Sequence, residues 1–175
     1  MFRQLFYPLV AASAVTWLTV VAPAAAGVDV PYGTDLQADG RLAQARRVPI
    51  LLEFSAVSCS YCRQLEREFL VPMLISGEYD DKVIIRRLLL DIGQHVTDFD
   101  GTRREASAIA ARYRAWVTPT LVFIDGSGHE VAERMKGINT PELFGGYLDA
   151  CIDTALLQVR EPGSPVRFAG CEPVR

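Results

Sequence analysis

Two cysteines, Cys59 and Cys62, stand at the junction of two opposite kinds of sequence, and that junction constrains the fold more than any other feature. Before them, Val48 to Ala56 is a continuous apolar run interrupted by a single acid, Glu53. Such a run reads as a strand buried on both faces, the kind found inside α/β sheets. After them, from Ser60 to Leu70, the residues Cys62, Leu65, Phe69 and Leu70 fall on or near one helical stripe. The spacing therefore places Cys59 at a helix start, where unpaired N–H groups and the positive dipole end favour an anion. A thiolate is such an anion, and it is the nucleophile of disulfide exchange. Three-residue spacing sets the two sulfurs side by side, so they can close a disulfide. Cys59 is expected to be the exposed attacker and Cys62 the shielded resolver. A static disulfide and half of a zinc site are the other readings of a lone CxxC. Zinc would need two further ligands from His95, His129, Cys151 and Cys171, and no metal site is expected.

The remaining elements follow from periodicity and punctuation. Thr34 or Asp35 can cap a helix reaching Arg47, although Gly40 weakens it. Pro72 kinks or restarts the helix that follows the cysteines, and Gly77 ends it. Val83 to Asp91 is a second apolar strand, Gly93 to Gly101 a polar loop, and Arg103 to Arg114 a helix rich in Ala and Arg. Thr120 to Ile124 and Glu130 to Lys136 flank the turn Asp125-Gly126-Ser127-Gly128 and form a hairpin. Thr140 can cap a last helix from Pro141 to Leu157, with Leu143, Phe144, Tyr147, Leu148 and Ile152 toward the core. The order β-α-β-α-β-β-α with a leading helix predicts parallel pairing early and antiparallel pairing late. A small mixed sheet with helices on both faces satisfies both requirements.

The first 26 residues read as a segment separate from the fold. Arg3 supplies a positive start, Leu9 to Val21 an apolar stretch, and Ala24-Ala25-Ala26 a small-residue cleavage pattern. An uncleaved membrane anchor is the competing reading, because Leu5 to Ala26 carries no charge and about 20 residues span a bilayer. Pro8, Pro23 and the triple alanine favour cleavage. Either way the domain, 27–160, and its tail, 161–175, are expected outside the cytoplasm, where disulfides persist. A net charge of −3, with no stripe of basic residues, argues against nucleic-acid binding. With 50% hydrophobic residues the chain can build one core.

Beyond the CxxC, the chain resembles the thioredoxin superfamily, over about residues 35–157. That family places an acid in the strand before the motif, and Glu53 holds the matching position. The family also carries a cis-proline loop, and Tyr113 to Leu121 is similar to it, with Pro119 at the proline. Gly137, after the last strand, matches a family glycine. The resemblance implies a thioredoxin-like α/β fold and thiol–disulfide exchange without a cofactor. Glu53 would relay the proton of Cys62, Pro119 would stack against the CxxC, and the Thr118 backbone would pair with an extended substrate. Trp116 beside that loop is either a core residue or a substrate platform. Departures are Ser58 in place of tryptophan, Ser60-Tyr61 in place of Gly-Pro, and Arg87 where thioredoxin has a lysine near the acid. With the export segment, they make the chain look more like exported bacterial thioredoxin-like proteins, whose partners are protein thiols or disulfides and an upstream redox protein. Ser60-Tyr61 brings no cation or histidine to stabilise a thiolate, which tilts the reading toward a reductase or isomerase.

Cys151 and Cys171 read as a structural disulfide tying the tail to the last helix, or alternatively as a second redox pair. His95, Asp98 and Asp100 suggest a metal loop only weakly. Two functional classes stay open at this level: an oxidoreductase, and a non-catalytic binding module using the groove near Pro119 with a static Cys59–Cys62 disulfide.

Overall fold

Strand β1 (Ile50–Ser55) is buried at every position, and the sheet is built around it. In the computed structural model, which describes residues 27–165 together with Gly170 and Cys171, β1 pairs in parallel with β2 (Ile84–Leu89). On its other side it pairs antiparallel with β5 (Thr120–Ile124), which pairs antiparallel with β6 (Glu130–Lys136). The order is β2-β1-β5-β6, the mixed sheet that the element order predicts. The expected export segment, 1–26, lies outside the described residues, as do tail residues 166–169 and 172–175. Among the described residues no helix is long and apolar enough to cross a membrane.

Alternation along each strand separates two cores. Leu51, Ile85, Leu121 and Phe123 pack with Leu65, Leu70, Met73, Phe144, Leu148 and Ile152. Those partners belong to α2 (Ser60–Leu65), the π-helical turn Glu66–Leu70, α3 (Val71–Ser76) and α5 (Pro141–Arg160). Ile50, Leu52, Phe54, Ile84, Leu88, Val122 and Ile124 face the other way, onto α1 (Leu36–Arg46) and α4 (Ala106–Arg112). Asp35 caps α1, its carboxylate accepting from the Ala38 N–H at 2.8 Å. Gly40, a poor helix former, is required inside α1 because a Cβ there would lie 2.4 Å from the Gly126 carbonyl oxygen.

Three local expectations need correction. The polar loop is partly a hairpin, in which β3 (His95–Thr97) pairs with β4 (Arg103–Glu105), and α4 begins only at Ala106. Buried Asp98 organises it, accepting from Arg104, from Arg112 and from the Phe99 N–H. Those contacts hold residues 103–105 extended. Thr140 makes no side-chain cap and adopts a left-handed conformation. Leu143 and Tyr147 are exposed, since the buried stripe of α5 runs through Phe144, Leu148, Cys151, Ile152 and Ala155. Tyr147 instead lays its ring against Gly170, where a Cβ would approach within 2.4 Å.

Pro72 does not break its helix. In a regular α-helix its ring would clash with the carbonyl four residues back. The preceding turn widens to π geometry, with the Val71 N–H donating to the Glu66 carbonyl, and α geometry resumes at Val71.

Candidate active site

A three-residue loop carries the chain from β1 to Cys59, which is the N-cap of α2. Cys59 and Cys62 are joined in a disulfide, and the Cys62 N–H points at the Cys59 sulfur at 3.1 Å. Cys59 is half-buried and Cys62 fully buried. The loop is pinned at Val57 on both main-chain groups. Its N–H donates to both carboxylate oxygens of Asp91, at 3.0 and 3.1 Å, and its carbonyl accepts from Arg63 at 3.0 Å. Asp91 and Arg63 escaped the sequence reading, because their partner is the main chain of the loop, which leaves no side-chain signal in the sequence.

Beneath this motif the sheet carries charge. Glu53, Ser55 and Arg87 project on the same face as Leu51 and Ile85, toward the layer of α2, α3 and α5. Glu53 is fully buried, and among the described residues neither of its carboxylate oxygens has a hydrogen-bond partner. Arg87 is its register partner on β2, yet the Arg87 guanidinium donates to Glu66, lies 3.7 Å from Asp29 and stacks 4.5 Å from the Tyr32 ring centroid. The Ser55 hydroxyl also reaches Glu66, at 3.4 Å. Burial, reinforced by the Glu66 charge, pushes the Glu53 carboxyl up to about 8, outweighing Ser55 and Arg87, which pull it down. Burial likewise raises Glu66 against the pull of Arg87. Glu66 is a second acid that the sequence reading missed. Its position, four residues after Cys62 and so on the same helical face, was the available signal.

The loop before β5 lies at the same end of the sheet, since Thr120 is in register with Phe54. The Thr118–Pro119 peptide is cis. Pro119 is buried and its carbonyl accepts from the Gly137 N–H, while the Thr120 hydroxyl donates to the Val117 carbonyl. Among the described residues the Thr118 main chain makes no hydrogen bond. Trp116 is 72% exposed and Val117 is exposed beside it, as is Tyr61 within the CxxC. Trp116 is therefore not a core residue.

Cys151 of α5 and Cys171 form the second disulfide, and both are buried. The Cys171 sulfur lies 3.7 Å from the Glu133 carbonyl on β6, so the clasp sits at the far edge strand of the sheet. The acids of the β3–β4 hairpin are engaged by cations: Asp98 by Arg104 and Arg112, Asp100 by Arg104.

The profile of a family described as "Thioredoxin-like domain" matches residues 36–152. No curated protein matches the chain. Among solved structures, mitochondrial thioredoxin 3 of Saccharomyces cerevisiae in its oxidised form is similar at 20% identity, covering 69% of this chain and 94% of its own, with a TM-score of 0.46. A thioredoxin of Malassezia sympodialis is similar at 18% identity, with coverages of 74% and 95% and a TM-score of 0.47. Fasciola hepatica thioredoxin is similar at 22% identity, with coverages of 65% and 91% and a TM-score of 0.43.

Proposed function

The chain belongs to the thioredoxin-like domain family and is a thiol–disulfide oxidoreductase, and from that premise we propose that it is exported and exchanges disulfides with protein partners through Cys59 and Cys62. The observation that carries this reading is the asymmetry of the pair, with Cys59 reachable at the helix start and Cys62 sealed beneath it. The export segment and two cystine pairs fit an oxidising compartment. Ser60-Tyr61 favours reduction or isomerisation over strong oxidation.

In the reducing direction the Cys59 thiolate attacks one sulfur of a partner disulfide. The new S–S bond forms as the old one breaks, and the partner's first thiol leaves. Cys62 gives its proton to Glu53 and attacks Cys59. The partner leaves as a dithiol, and Cys59–Cys62 closes as a disulfide, having passed two electrons. Glu53 is suited to this step because a carboxyl raised toward neutrality exchanges protons with a thiol at little driving-force cost. A partner segment would lie along the loop before β5, pairing with the open Thr118 main chain, backed by Pro119 and Trp116. An upstream redox protein restores the dithiol.

The test is equilibration of the Cys59–Cys62 pair with glutathione buffers. A disulfide that opens reversibly in solution, with Cys59 the faster-alkylated thiol, supports the assignment. A pair that resists reduction in the folded protein favours a binding module with a static disulfide. The Cys151–Cys171 pair is expected to stay closed throughout.

A further inference from the structure

We propose that Glu66 is a positioning residue that draws Arg87 to itself and so keeps the Glu53 carboxyl unpaired. Glu53 and Arg87 face each other in register on neighbouring strands, on one face of the sheet. An acid and a base held side by side where water is excluded attract one another strongly, so pairing is the expected outcome. Here they do not pair. The guanidinium turns to Glu66, with Asp29 and the Tyr32 ring on its outer side, and its Nε is left without a partner. Ser55, two residues along β1 on the same face, sets its hydroxyl 3.4 Å from Glu66. The groups facing Glu53 are Glu66 from the π-helical turn, Arg87 from β2 and Ser55 from its own strand, while its register partner on β5 is the apolar Leu121. The charged donor able to satisfy Glu53 is thus held by another carboxylate, and among the described residues neither Glu53 oxygen has a hydrogen-bond partner. Buried orphans are rare and point to use rather than packing.

Glu66 opens the widened turn just after the helix that carries Cys62. Its placement sets the pH at which Glu53 gives up or takes a proton without itself meeting a reacting sulfur. This inference rests on reading Glu53 as the proton acceptor of Cys62, but its test does not use that step.

The test follows the Glu53 carboxyl by carbon NMR against pH, in the full chain with both disulfides closed. In Glu66→Gln, Arg87 turns to Glu53, and its titration is expected to fall by about one to three pH units. The same substitution in an Arg87→Met background is expected to move it much less, because only the repulsion between the acids is then removed. An unmoved titration in Glu66→Gln, or equal displacements in the two backgrounds, overturns the positioning role. Should Glu66→Gln not fold, Glu66→Asp withdraws the carboxylate while keeping its charge and is expected to displace the titration in the same direction. A Glu53→Gln variant with unchanged kinetics would end the relay reading and leave this NMR result standing on its own.

Discussion

At the scale of single residues the proposed chemistry turns on how Glu53 and Cys62 share a proton. In the proposed relay, resolution of a mixed disulfide on Cys59 requires Glu53 ionised, so its rate is expected to rise with pH through about 8. Glu53→Gln is expected to slow resolution near neutral pH by roughly tenfold or more while sparing the first attack by Cys59. Rapid-quench kinetics on a preformed mixed disulfide read this directly, and unchanged resolution would remove the relay. The same carboxyl predicts a stability signature. Its folded pKa lies above the ordinary value of 4.5, so the unfolded chain loses its proton first and stability falls as pH rises from there to about 8. Each pH unit in that interval is worth about 1.36 kcal/mol. Glu53→Gln is expected to abolish that decline, matching the wild type near pH 4 and exceeding it by a few kcal/mol at pH 9 in urea titrations. A parallel decline in the variant would show that another group is responsible. The sulfurs give a further check. Cys59→Ser is expected to abolish exchange, and Cys62→Ser to accumulate mixed disulfides detectable on non-reducing gels.

At the scale of elements the strand–CxxC–helix unit was legible because its signals are local: an unbroken apolar run, a cysteine spacing and a helical stripe. The β3–β4 hairpin was not, because only Val96 and Phe99 between its ends are apolar and it is held by Asp98 meeting Arg112, fourteen residues on. The role of Glu66 was hidden for the same reason, since it exists only once β2 brings Arg87 alongside. The loop before β5 lies between these cases: its sequence pointed to Pro119 and Trp116, while the exposure of Trp116 had to be seen. That exposure makes a prediction. Trp116→Ala removes no core contact, so stability is expected to stay within about 0.5 kcal/mol. Reduction of a protein disulfide is expected to weaken several-fold, with a small disulfide such as oxidised glutathione unaffected. Equal loss on both substrates would mean that the ring shapes the cysteine pair rather than docking a partner.

On the scale of the whole molecule, two disulfides sit in opposite circumstances. Cys59–Cys62 bridges three residues at a helix start on the central strand's end, with one sulfur half-buried. Cys151–Cys171 bridges 20 residues, has both sulfurs buried, and joins α5 to the tail beside β6, the edge strand farthest from β2. A bridge closing 20 residues restricts the unfolded chain by roughly 3 kcal/mol, about twice the effect of one closing three. Attack on a disulfide needs a thiolate in line with a sulfur, which burial of both sulfurs denies. The second bridge is therefore expected to act on stability alone. The double variant Cys151→Ala/Cys171→Ala should unfold at lower urea, with a loss of about 3 kcal/mol, while the potential of Cys59–Cys62 and its exchange with a protein disulfide stay at wild-type values. The competing reading, a relay that passes electrons from Cys59 to the second pair, makes the opposite forecast. Exchange or potential would change in the double variant, and Cys171 would become alkylatable when the wild-type protein is held with limiting reductant. Mass mapping of alkylated cysteines in a glutathione titration separates the two: a single opening confined to Cys59 and Cys62 keeps the clasp structural, and a second opening at the same poise makes it part of the electron path.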